Sequence, residues 1–160
     1  MAPTAWIGAP APGPHGTPPA GNEREVPGPP LLHEFASAVA ELPEARSRLR
    51  QWLERSVDDG PARQDLLLAG TELCTEAVQR WAGGRIALRA WVAGPSVFLE
   101  VTGPLGWPSD GSVANLADSG SDARCRLRIL EHICDEMSTR DSGRARSVRC
   151  RWRTPHRATG

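Results

Sequence analysis

Between Arg85 and Val101 the apolar residues alternate. Ile86, Leu88, Ala90 and Val92 fall on one side of an extended chain, and Arg85, Ala87, Arg89 and Trp91 fall on the other. After Ala93-Gly94-Pro95-Ser96, Val97, Leu99 and Val101 resume the same period. Successive strand side chains point to opposite faces, so this stretch predicts a hairpin with one apolar face. Such a face must be covered, and the residues just upstream offer the cover. Leu42, Ala45, Leu49, Trp52 and Leu53 recur at helical spacing through Arg55. Pro43 suits the first helical turn, and Arg46, Arg48 and Arg50 can stay wet. Asp58-Asp59-Gly60-Pro61 has turn chemistry, and Pro61 can open a second helix running to about Trp81. Leu66, Leu67, Leu73, Cys74, Ala77, Val78 and Trp81 form its apolar stripe, and Gly83-Gly84 ends it.

The flanking segments extend this pattern. Leu32, Glu34 and Ala36 alternate with His33, Phe35 and Ser37, as in a short half-buried strand. From Gly103 to about Asp122 the chain is rich in Gly, Pro, Ser and Asp, an unusually long loop of the kind more often functional or mobile. Leu127, Leu130, Ile133, Cys134 and Met137 mark a third helix. Two strands close the chain, one near Met137 to Asp141 and one from Ser147 to Arg153. In the latter, Val148, Cys150 and Trp152 face inward. The expected fold is α+β, a two-layer sandwich of about three helices on a mostly antiparallel mixed sheet. The expected boundaries are a Pro/Gly-rich disordered leader over 1–30, one domain over 31–154 and a disordered tail over 155–160. Nine of the fifteen prolines and five of the sixteen glycines fall in the leader, whose apolar pair Trp6-Ile7 is isolated.

Composition excludes several classes of function. A formal net charge of zero removes whole-molecule attraction to nucleic acid or an anionic membrane, so any such contact must be a local patch. No stretch approaches the roughly 18 apolar residues needed to span a bilayer, and no secretory signal pattern opens the chain, so a cytoplasmic location is expected. Cys74, Cys125, Cys134 and Cys150 form no Cys-x-x-Cys pair and read as buried free thiols. The spacing of Cys125, His132 and Cys134, even with Cys150, fits no familiar zinc knuckle. A Cys125–His132 nucleophile lacks an oxyanion site. Arg140, Arg144, Arg146, Arg149, Arg151, Arg153 and Arg157 make the C-terminus basic, and strand alternation predicts a solvated face for Arg149, Arg151 and Arg153. An acidic protein partner is the next reading, ahead of nucleic acid. Of the six tryptophans, Trp107 alone falls in the long loop, where it could cap a site or meet a partner.

One helical motif carries a family resemblance. Glu72-Leu73-Cys74-Thr75-Glu76-Ala77-Val78 resembles the Glu-Leu-x-Thr-Asn-Ala-x helix of the GHKL superfamily, in particular its small single-domain group that includes anti-sigma-factor serine kinases. Pro43-Glu44-Ala45-Arg46 resembles the start of that family's first helix, and Leu99-Glu100-Val101 the strand entering its nucleotide site. Leu127-Arg128-Ile129-Leu130 resembles the helix after its lid. The resemblance spans Leu31 to about Trp152 and implies a Bergerat-type ATP-binding fold.

The same resemblance implies a site for ATP and Mg²⁺, and here the chain departs from the pattern. The family's magnesium-ligating Asn is replaced by Glu76. A carboxylate can ligate Mg²⁺, but it adds a negative charge beside a triphosphate. Two like unit charges about 4 Å apart repel by roughly 4 kcal/mol at an effective dielectric near 20. The Asp that accepts the adenine amino group aligns with Gly103, or with Thr102 after a one-residue slip. The Gly-x-Gly step that brings backbone N–H groups to the phosphates reads Arg124-Cys125-Arg126, whose guanidinium groups could hold phosphate instead. Glu72 matches the proposed general base of the kinase members and shares a helical face with Glu76. Three readings follow. One is a degenerate regulatory module acting by protein contact, for example with a sigma factor or an anti-sigma antagonist. Another is an active ATP-dependent protein serine/threonine kinase with Glu76 on Mg²⁺ and Arg124 or Arg126 on phosphate. The third is an unrelated α+β domain. Family members commonly form homodimers, so the resemblance also makes a homodimer an expectation.

Overall fold

The computed structural model describes residues 28–81, 83–104, 128–143 and 145–154. Trp6, Ile7, Trp107, Arg124, Cys125, Arg126, Arg144 and Arg157 lie outside the described residues, as do most of the leader, the long loop and the tail.

Strand β1 (Leu31–Ala36) leads through a turn of 3-10 helix (Val39–Glu41) into helix α1 (Leu42–Ser56) and helix α2 (Gly60–Arg80). Hairpin β2 (Arg85–Ala93) and β3 (Ser96–Pro104) follows. A helical segment, α3 (residues 128–133), precedes β4 (Glu136–Ser142) and β5 (Ala145–Arg153). The five strands lie in the order β1-β2-β3-β5-β4. Every described pairing is antiparallel, so the sheet is antiparallel rather than mixed among these strands. Among the described residues no helix is long and apolar enough to cross a membrane.

The elements form where local chemistry favours them. Pro43 sits in the first turn of α1, and Ala45, Leu49, Trp52 and Leu53 are all buried along one stripe. Glu44 and Arg48, one turn apart on its wet side, pair at 2.7 Å. Ala93 pairs with Ser96 across a two-residue turn, with Gly94 at φ 57°. A glycine at the first central position suits a tight hairpin, and Pro95 holds the second at negative φ. Trp52 Nε1–H donates to the Pro29 carbonyl at 2.9 Å, tying the residues before β1 to α1.

Both helices cover one face of the sheet. That face contributes Ile86, Leu88, Ala90, Val97, Leu99, Val101, Val148, Cys150 and Trp152 to the core, and Phe35 comes from β1. In β1 the inward residues are His33 and Phe35, because their partners Leu88 and Ile86 are inward. Leu32 therefore faces out and is 62% exposed.

The third helix ends earlier than its apolar spacing predicts. Cys134 N–H donates to the Leu130 carbonyl, and the next residue, Asp135, donates to the Arg151 carbonyl of β5 at 2.9 Å. Met137 accordingly belongs to β4, opposite Cys150. Its helical spacing from Ile133 and Cys134 is overridden by ladder hydrogen bonds that only the folded sheet supplies.

Candidate functional site

Helix α2 runs over the middle of β3, where Gly70 approaches Leu99. Its C-terminal half then travels toward the far end of that strand. Ser37 connects the two: its hydroxyl donates to the Trp81 carbonyl just after α2, and its N–H donates to Gly84 before β2. The start of β2 in turn pairs with the end of β3, Ala87 opposite Thr102. Glu72 and Glu76 on α2 and Gly103 on β3 therefore lie toward the same end of the sandwich, on its helix side.

The two glutamates differ in setting. Glu72 is half-buried, whereas Glu76 is 3% exposed and joins the buried stripe with Leu73 and Ala77. A carboxylate that deep needs a compensating charge. Arg80, one turn further along, provides it: Nε lies 2.5 Å from Glu76 Oε1. This pairing changes the electrostatics expected from the sequence, because the carboxylate charge is offset within its own helix.

The two candidate positions on β3 separate by the pleat. Gly103 is buried and continues the inward series of Val97, Leu99 and Val101. Thr102 points to the opposite face, where its hydroxyl meets Ser147 Oγ at 2.7 Å. Gly103 thus lies on the helix side of the sheet and the Thr102 side chain on the other. Arg124 and Arg126 lie outside the described residues.

One charged pair at this end was not foreseen. Gly103 stands opposite Arg146 on β5, and Arg146 is 7% exposed. It forms a fork with Asp141 of β4, with Nη2 2.7 Å from Oδ2 and Nε on Oδ1. The hydrogen bond from Arg146 holds the Asp141 carboxyl below the usual carboxylate range, with the guanidinium charge acting in the same direction. Sequence patterning marks the alternation around Arg146 but carries no sign of the strand pairing that brings Asp141 beside it.

The outer face of the sheet holds a second charged arrangement. Glu100 is 6% exposed although it faces away from the helices. Arg149 covers it, with Nη2 at 2.7 Å and Nε at 2.9 Å, and Arg89 lies 3.8 Å away. The Arg149 guanidinium also sits over Trp91, 5.1 Å from the ring centroid, and Trp91 stacks on Phe98 at 5.2 Å. Arg151 pairs with Glu136 of β4 at 2.7 Å. The arginines read as a solvated strand face are therefore half-buried members of an ion-paired, aromatic layer, with only Arg153 exposed. Among the described residues no three His, Cys, Asp or Glu side chains gather as a metal-binding group.

No protein-family model and no curated protein matches the chain. Among solved structures the chain is similar to the crystal structure of the RsbU and RsbW domains of Rv1364c from Mycobacterium tuberculosis. The identity is 21% and the TM-score 0.59, over 79% of this chain and 32% of that one. The chain thus spans about a third of that structure's length, and the likeness is one of fold.

Proposed function

We propose that this chain is a regulatory module of the anti-sigma, serine-kinase-like type that has lost effective nucleotide binding and works by contact with a partner protein in the cytoplasm. The observation that carries the reading is the pairing of buried Glu76 with Arg80, at the position where the resembling family keeps a neutral magnesium amide. To ligate Mg²⁺, Glu76 must loosen that bond, which sets the Arg80 guanidinium beside a cation and strips the buried carboxylate of its offsetting charge. The absence of a carboxylate at Gly103 supports the same reading, since adenine recognition of the family type needs an acidic acceptor there. The fold shared with the RsbU and RsbW domains of Rv1364c suggests a sigma factor or an anti-sigma antagonist as the partner class. The outer sheet face offers aromatic and arginine side chains of the kind enriched at protein interfaces.

Equilibrium titration with a fluorescent ATP analogue and Mg²⁺ tests the proposal. The wild-type chain should show no saturable binding at micromolar nucleotide, and a micromolar dissociation constant overturns the reading. If nucleotide does bind, the kinase alternative predicts phosphate transfer to a partner that Glu72→Ala abolishes.

A further inference from the structure

Helices α1 and α2 pack on one face of the sheet, and the register of the strands fixes what stands on the other. Leu32, Arg89, Glu100, Arg149 and Ser138 are successive partners across β1, β2, β3, β5 and β4, so they form one row on that outer face. Trp91, Phe98, Arg151 and Glu136 form the next row. Leu32 is 62% exposed and the Arg89 side chain 56%. Trp91 is diagonal to Leu32 across the β1–β2 ladder, a spacing of about 7–8 Å that an aromatic side chain spans. Leu32, Trp91 and Phe98 thus form an apolar patch with Arg89 set within it.

The charge on this face is unbalanced. Its arginines are Arg85, Arg89, Arg140, Arg149, Arg151 and Arg153, whereas its acids are Glu34, Glu100 and Glu136, a surplus of three positive charges. The chain as a whole is neutral, so the surplus is local. Glu100 and Glu136 are already held by Arg149 and Arg151. Arg85, Arg140 and Arg153 are exposed and pair with no carboxylate among the described residues, and Arg89 reaches Glu100 only at 3.8 Å. Four guanidinium groups therefore lie in and around the apolar patch with donors to spare.

We propose that this face is a docking surface for an acidic protein segment, one that lays an apolar side chain between Leu32 and Trp91 and sets carboxylates on Arg89 and the exposed arginines around it. This partner is the one that the protein-contact reading above requires, so the surface rests on that reading. Carboxylates match both the surplus charge and the planar donor fork of arginine. A second copy of the chain does not, because two such faces would bring surplus positive charge against itself. A nucleic acid matches the charge but not the centre. Trp91 already carries Phe98 and the Arg149 guanidinium against its ring, and Leu32 offers a phosphate backbone no donor. Tryptophan and arginine around an apolar centre are the side chains on which protein interfaces concentrate their binding energy.

The test titrates the full chain into a short fluorescein-labelled peptide, Glu-Asp-Glu-Leu-Leu-Glu-Asp-Glu, and follows fluorescence anisotropy at physiological salt. Saturable binding is expected, and none for the same peptide with Lys in place of every acid. Leu32→Ser and Arg89→Gln change exposed side chains, so each should keep the wild-type circular dichroism spectrum and weaken the peptide by about tenfold. Arg149 is left in place because it covers Glu100. In amide nuclear magnetic resonance spectra the peptide should shift β1 and β2 around Leu32, Arg89 and Trp91. The proposal is overturned if the peptide does not saturate, if either variant binds as tightly as wild type, or if the shifted amides lie on α1 or α2. Tighter binding of oligo(dT) or of phosphatidylserine vesicles at this face overturns it too, as does a dimer in sedimentation that Leu32→Ser dissociates. Nucleotide titration decides the parent reading separately. A chain that takes up both nucleotide and peptide loses that reading and keeps this surface, whereas one that takes up neither loses this surface alone.

Discussion

Gly70 lies inside α2, where glycine costs about 1 kcal/mol relative to alanine. Its presence is explained by clearance. A Cβ at this position would fall closer to Leu49 Cδ2 than the 3.0 Å that real Cβ atoms keep, and 3.4 Å from Leu99 Cδ2. Leu49 belongs to α1 and Leu99 to β3, and at 1% and 0% exposure neither can swing into solvent. Gly70→Ala should therefore gain about 1 kcal/mol of helix propensity and lose about 1–3 kcal/mol to overpacking. Because the new methyl is confined from two elements at once, the loss belongs in the upper part of that range, and the net cost is about 1–2 kcal/mol. For a domain of this size that lowers the melting temperature by roughly 4–8 °C. Thermal and urea unfolding followed by circular dichroism measure it. Leu49→Val trims the opposing side chain at a cost of about 1 kcal/mol alone. In the double variant the two costs should fall short of their sum by a measurable coupling. A Gly70→Ala protein as stable as wild type, or strictly additive costs, refutes the claim that this glycine exists to let α1, α2 and β3 meet.

Two further predictions concern charges. Arg149→Ala leaves the Glu100 carboxylate buried with Arg89 alone nearby and should cost about 1–3 kcal/mol in urea denaturation, discounted from a fully buried pair because Arg149 is 33% exposed. Arg149→Ala with Glu100→Gln should recover part of the loss, and a single-variant cost below about 0.5 kcal/mol counts against the buried-pair account. His33 stacks on Phe35, and its Nε2 is buried with no hydrogen-bond partner. Burial, then the Arg48 charge, lowers its pKa below 6.5, while Glu44 and Glu41 pull weakly the other way. The unfolded chain therefore binds the proton more readily. His33 contributes stability that is fully present above pH 6.5 and is lost as pH falls through the depressed folded value. Urea midpoints measured between pH 7.5 and 5 should fall in the wild type and flatten in His33→Gln; equal slopes refute the assignment.

The local pattern between Leu42 and Val101 determined most of the architecture. Helical stripes and strand alternation are properties of contiguous residues, and each implies which face is buried before any partner is known. Ala45, Leu49, Trp52 and Leu53 are buried together for that reason, as are Ile86, Leu88 and Ala90. The inward set of Val148, Cys150 and Trp152 follows the same rule. Long-range register decided the rest. It ended α3 before Met137 and turned Phe35 inward instead of Leu32. It also placed Arg149 on Glu100 and Asp141 on Arg146. The Glu72–Glu76 spacing was legible on the helix, but the burial of Glu76 against Arg80 was not, because burial depends on what packs over a residue. Periodicity is written one residue after the next. Strand pairing is a choice among many registers, made only when distant segments share one core.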